Sequence, residues 1–297
     1  MTLPIVESIS PPPSALRGWA FWSAMTMLAL LGAAIVFLIV AFLLGEALPL
    51  ISKGGWSRFL TDEGWWPRDA NFNMTPMVVA SLYLTVGALL VATPLSLAIS
   101  LVTTFKAPTG LARFMRNLVE LSAAVPTVVY GLWGVSAIVP IINQWSPPGA
   151  SLLAGVLVVA LMIIPTIAVL TQSALQTVPV TYVQGAAALG VSENQTLLRI
   201  VVPAARQGIF SAMVLGAARA IGETMVVLMV CGNIVQVPTS VFEPIRALTA
   251  NIALEMPYAM GDHRASLFVA GLLMLLLVSV LVAAGEWVGR RQREMGV

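Results

Sequence analysis

The chain has 297 residues, 59% of them hydrophobic and only 9% charged, with a mean hydropathy of +0.94. A soluble domain carries roughly 25% charged residues, so the composition excludes a soluble fold and describes an all-α, multi-pass membrane protein. A net charge of +2, on basic residues that are scattered rather than run together, offers nothing to a nucleic-acid partner, and a single cysteine, Cys231, excludes an internal disulfide.

The first 16 residues include Pro4, Ser10, Pro11, Pro12 and Pro13 and read as a disordered cytoplasmic tail. Arg17 follows, then an apolar stretch from Trp19 to Leu44. That stretch is longer than the roughly 7–15 residues of a signal-peptide core, and is expected to be a retained first span. A helix needs about 20 mostly apolar residues to cross lipid. Stretches 19–44, 75–105, 117–142, 150–172, 209–234 and 265–289 reach that length, so residues 17–297 form one transmembrane domain of about six helices with both termini on one side. Placing that side in the cytoplasm puts nine basic residues inside (Arg17, Lys106, Arg113, Arg116, Arg199, Arg206, Arg290, Arg291 and Arg293). Five lie outside (Lys53, Arg58, Arg68, Arg246 and Arg264), the bias that sets topology.

The outer segment 45–74 carries Trp56, Trp65 and Trp66 and suits an amphipathic stretch at the lipid headgroups. Pro94, Pro126 and Pro165 fall inside spans, where each removes a backbone donor and tends to kink the helix. Glu120 lies four residues after Arg116 near the inner boundary, so an interfacial ion pair accounts for it, with a role in the pathway or gate as the alternative. Thr127 and Tyr130, beside Pro126, are neutral polar groups for packing or the pathway.

Arg219 and Glu223 sit in the apolar run 208–232, where charge marks a functional site. Four apart, they are expected on one helical face, at depths of roughly 16 and 22 Å from Gly208, turned toward the bundle interior. The guanidinium is a planar fork of donors suited to an oxyanion, and Glu223 would hold that fork. Glu223 would also accept a hydrogen bond from a protonated phosphate oxygen, which sulfate lacks at neutral pH. A purely structural salt bridge is the alternative. The chain has no G-x-x-x-x-G-K-[ST] loop, no H-E-x-x-H and no Cys/His cluster, so neither ATP hydrolysis nor a bound metal is expected of it.

The longest inner loop, 173–208, contains the small-residue cluster Gly185-Ala186-Ala187-Ala188, then Gly190, Ile200 and Pro203. The cluster allows close approach of a short helix to another surface, Gly190 suits a left-handed cap, and Pro203 suits the turn into the next span. This spacing resembles the EAA loop of ABC-importer permeases, E-A-A-x3-G-x9-I-x-L-P: Ala186, Gly190, Ile200 and Pro203 match in register, and Val202 replaces leucine. Gln184 stands for the family's glutamate and Gly185 for its first alanine, which replaces a charged contact with a neutral one.

The run from Val119 to Gly134, and Ala218 to Met225 followed by Cys231-Gly232-Asn233, are similar to phosphate-specific ABC permeases of the PstC type. The resemblance implies a type I importer fold in the bacterial inner membrane, with 179–203 as the coupling loop. It also implies a second permease of the PstA type, a dimeric cytoplasmic ATPase that holds the ATP and magnesium, and a phosphate-binding protein. Inorganic phosphate is the implied cargo, with Arg219, Glu223 and Glu120 along its path. Molybdate or sulfate import, or a secondary transporter or channel without an ATPase, remain open alternatives.

Overall fold

The computed structural model describes residues 15–294. Most of the tail assigned to residues 1–16 lies outside the described residues. Five helices are long and apolar enough to cross a membrane, and six spans result if one sharply bent pair is counted as a crossing. α1 (Ala15–Gly54) leads to a short α2 (Arg58–Thr61) and a hairpin of β1 (Trp65–Trp66) and β2 (Asn71–Phe72). Then come α3 (Thr75–Leu101), α4 (Thr109–Ala124), α5 (Thr127–Trp133), α6 (Val139–Asn143) and α7 (Leu152–Gln176). The chain closes with α8 (Val180–Ala188), α9 (Glu193–Thr196), α10 (Val202–Ile221), α11 (Met225–Val230), α12 (Leu248–Glu255) and α13 (Gly261–Glu294).

The centre is α7 packed between α3 and α10. Small residues make this possible: Ala88, Ala92, Ser96 and Ser100 of α3 are fully buried, and their hydroxyls donate across to α7, Ser96 to the Ile164 carbonyl (3.0 Å) and Ser100 to that of Ala168 (2.9 Å). In lipid, where apolar burial does not drive helix association, close backbone approach and such hydrogen bonds do. Gly208 of α10 faces Ala174 of α7 so closely that a Cβ there would lie 2.3 Å from the alanine's.

Lys53 at the end of α1 pairs with Asp262 at the start of α13 (2.8 Å), so these two run antiparallel and their far ends share one face. The Gln207 amide donates to the Gly289 carbonyl (3.3 Å), and Lys106 bonds Asn194, which puts α8 and α9 on that same face. The hairpin occupies the opposite face.

Two expectations are corrected. The third span is not continuous: Val125 adopts extended backbone before Pro126, as a residue preceding proline prefers, and the segments 109–124 and 127–143 meet at 94°. Pro94 and Pro165, by contrast, stay inside unbroken helices. The fifth span starts earlier and ends earlier than 209–234. It runs from Glu193 to Ile221 and passes through Pro203, whose missing donor is absorbed by a π-turn at Leu197–Val201 in which the Val202 N–H reaches back to the Leu197 carbonyl. Segment 45–74 is a packed cap. α1 extends to Gly54, and Phe59, Trp65, Phe72 and Met74 form a core with Leu248 and Leu267, while Trp56 and Trp66 remain half exposed.

Candidate functional site

α10 ends at Ile221, Gly222 turns the chain, and α11 begins at Met225. Arg219 is in the last turn of α10, roughly 20 Å along the axis from Arg206 and therefore deep in the apolar layer. Its Nη1 donates to Thr166 Oγ1 of α7 at 2.8 Å. Among the described residues no carboxylate lies within 4 Å of it. The expected Arg219–Glu223 pair is therefore absent. Glu223 falls past the helix end, where the i,i+4 rule no longer holds, and is buried. Its Oε1 accepts the Val226 N–H (3.1 Å), satisfying one of the unpaired donors at the start of α11. The Glu223 carbonyl accepts the Thr249 hydroxyl of α12 at 2.7 Å.

Pro126 places α5 across α11, so the elbow of α4 and α5 is a wall of this site. The Tyr130 hydroxyl donates to the Ser122 carbonyl (2.9 Å) and ties the elbow together. A cavity of about 470 Å³ lies in the crook, lined by Ser122, Val125, Tyr130, Leu161, Ile164 and Pro165 among others. Glu120 is not drawn in: it is exposed on α4 and, among the described residues, forms no ion pair within 4 Å with Arg219 or Arg116. No residue of α4 is fully buried in this chain; Val119, Ser122 and Ala123 are half-buried.

On the α8 face, the loop residues form the expected short helix. Gly190 has φ +73°, its N–H bonds the Ala187 carbonyl (3.0 Å), and the Val191 N–H bonds that of Ala186 (3.1 Å). That pair of bonds is the Schellman closure, which needs a left-handed residue at Gly190. Ala186 is buried against the body, whereas Gln184 and Gly185 are exposed, Leu189 is 84% exposed, and nothing lies within 4 Å of a Cβ built on Gly185 or Gly190. Ile200 is half-buried within the π-turn, and Pro203 is exposed in the first turn of α10. Beneath α8, Leu175, Leu197, Val201, Ala205 and Ile209 form a separate core that also takes in Phe105 and Val183. Val183 of α8 thus packs on a core that joins the ends of α3, α7 and α10.

Sequence reasoning did not foresee the hairpin-face cluster. The buried Glu255 carboxylate accepts from Arg246 Nη1 (2.8 Å) and from Trp65 Nε1 (3.0 and 3.1 Å) and meets His263 Nε2 at 2.8 Å. His263 stands in the first turn of α13. Among the described residues no group of three or more His, Cys, Asp or Glu could hold a metal.

Comparison with known proteins supplies the family. Residues 92–294 match the model described as "Binding-protein-dependent transport system inner membrane component". The chain is 34% identical to the "Probable ABC transporter permease protein YqgH" of Bacillus subtilis over 79% of its length and 78% of that protein's. It is 29% identical to the "Phosphate transport system permease protein PstC" of Haemophilus influenzae, covering 89% of this chain and 93% of that one. Among solved structures, the inward-facing MetNI methionine ABC transporter aligns at TM-score 0.60 with 17% identity, covering 73% of this chain and 95% of that chain. A bacterial alginate ABC importer aligns at TM-score 0.61 with 14% identity, covering 92% and 99%. The fold is that of a type I ABC importer permease, and the chain belongs to the family of binding-protein-dependent transport system inner membrane components, the membrane-spanning, non-catalytic part of an ABC importer.

Proposed function

We propose that this chain is the PstC-type subunit of an ATP-driven importer of inorganic phosphate, and that Arg219 lies on the anion's path. The observation that carries the reading is a guanidinium deep in the apolar layer with a neutral hydroxyl as its hydrogen-bond partner and no carboxylate within 4 Å among the described residues. Intramembrane charges are retained when a counter-charge or a water-filled cavity compensates them. A mobile oxyanion is the counter-charge an importer brings, and a fork of donors suits its geometry. The similarity to PstC proteins supports phosphate over other tetrahedral oxyanions. Membership in the ABC permease family sets aside the reading without an ATPase.

In this reading the hairpin face is outside and the α8 face, with both chain ends, is cytoplasmic. A phosphate-binding protein delivers from the hairpin side, and a PstA-type permease completes the pathway and covers the exposed Glu120. The ATPase, which holds ATP and magnesium, docks on α8 through Gln184, Gly185 and Gly190. Ile200 and Pro203 pass its movement into α10. Because an ATPase drives alternation only by binding two conformations differently, α8 is where that difference enters. Glu223 fixes the break between α10 and α11.

The test is labelled-phosphate uptake by the reconstituted four-component system. Arg219→Ala should abolish uptake while leaving assembly intact, and Arg219→Lys, a point charge without the fork, should restore only part of it. Full transport by Arg219→Ala would remove Arg219 from the path.

A further inference from the structure

We propose that α12 is a strut that carries displacement of the hairpin face to the break between α10 and α11 beside Arg219, with Thr249 as its positioning residue at the inner end. The importance of that break rests on the reading given above; the mechanical connection does not. α12 is short, Leu248–Glu255, and polar contacts anchor both its ends; beside it a second connection joins the Arg246 segment to α11, where the Ile245 N–H donates to the Cys231 carbonyl (2.8 Å) and Asn233 Nδ2 to the Leu228 carbonyl (2.7 Å). At one end the Thr249 hydroxyl donates to the Glu223 carbonyl at 2.7 Å, and Glu223 is the residue that caps α11. At the other, roughly 9 Å along the axis, the Glu255 carboxylate gathers Arg246, Trp65 of the hairpin and His263 of α13. Arg246 extends the anchor: its Nε donates to the Asn233 carbonyl (2.9 Å) and its Nη1 also to Asn251 Oδ1 (3.1 Å).

The strut is also held laterally. The Leu248 N–H donates to Ser81 of α3 (3.0 Å), and Leu248, Ala250 and Asn251 are fully buried. A buried helix of this length is stiff along its axis. Moving Trp65 or His263 therefore moves Glu255, and with it the hydroxyl that holds Glu223. The consequence is that a protein docking on the hairpin face acts on the intramembrane break without inserting anything into it.

The experiment is hydrogen–deuterium exchange of residues 222–230 in the purified permease–ATPase complex, with Glu255→Gln, Thr249→Val, Thr249→Ser and the Glu255→Gln/Thr249→Val double variant. Glu255→Gln, at the far end, should speed exchange at Val226 by about fivefold, the worth of about one hydrogen bond. Thr249→Val should do the same, Thr249→Ser should match wild type, and the double variant should be no worse than the singles, because the two sites lie in series. Thr249→Val should also lower the maximal uptake rate of labelled phosphate without changing ATPase activity in the absence of binding protein. Unchanged exchange in Glu255→Gln, additive effects in the double variant, or failure of serine to restore the wild-type rate would overturn the strut. If the wild-type complex takes up no phosphate while the exchange cycle is non-additive, the substrate reading falls and the strut stands.

Discussion

The cap at Gly190 allows a test in which backbone conformation and surface contact separate. Gly190 sits at φ +73°, and nothing lies within 4 Å of a Cβ built there, so within this chain that atom meets no clash. What it meets is the left-handed penalty, about 1–2 kcal/mol for an L-residue, and more for a β-branched one. A loss of 1–2 kcal/mol lowers the population of the capped turn by roughly 5- to 30-fold. Since the Gly190 and Val191 N–H groups reach the Ala187 and Ala186 carbonyls only in that turn, α8 would lose its ending and its fixed angle to α9. Gly190→Val should therefore insert normally but reduce phosphate moved per ATP hydrolysed by about tenfold. Gly190→Asn, which tolerates the left-handed region, should retain most of the coupling. The assay is paired uptake and ATPase measurement in proteoliposomes. If asparagine is as damaging as valine, the space is needed by the ATPase and the conformational argument fails; if valine is harmless, the turn plays no part in coupling.

Two further outcomes are expected. Gly208→Ala puts a methyl 2.3 Å from the Ala174 Cβ and should cost about 1–3 kcal/mol through overpacking of α7 against α10, read as a lowered thermal midpoint of the purified complex; an unchanged midpoint would show that the two helices separate easily. In the hairpin-face loop, the backbone N–H and hydroxyl of Thr239 donate to Glu243 and hold its carboxyl below its ordinary value of 4.5. A lowered folded value means that the turn's stabilisation is complete above the ordinary value and is lost as pH falls through the lowered one. Protection of the Thr239 amide, corrected for intrinsic exchange, should stay constant down to that range and collapse below it, and Glu243→Gln should remove the dependence; collapse already near neutrality would contradict the assignment.

Apolar runs made the span positions legible because lipid enforces length and composition, and the left-handed cap at Gly190 was legible because its cause is local. The breaks were not. Pro94, Pro126 and Pro165 look alike in sequence, yet only Pro126 breaks its helix. Pro94 and Pro165 lie in the packed α3–α7 pair, where Ser96 bonds the Ile164 carbonyl just before Pro165, whereas Pro126 follows a helix with no fully buried residue. The periodicity that placed Arg219 and Glu223 on one face assumed a helix that Gly222 ends. Thr166, 53 residues from Arg219, carries no signal of its own as a neutral residue beside a proline. The Glu255 cluster draws on four separated segments, and its single histidine and scattered charges made no pattern along the chain.

The most direct test of the account is uptake of labelled phosphate into proteoliposomes holding this permease with and without its partner permease, ATPase and binding protein. The account predicts accumulation that requires all four components and ATP, that is outcompeted by unlabelled phosphate, and that sulfate and molybdate leave untouched. Phosphate movement by this chain alone, or accumulation of molybdate or sulfate in its place, would contradict it.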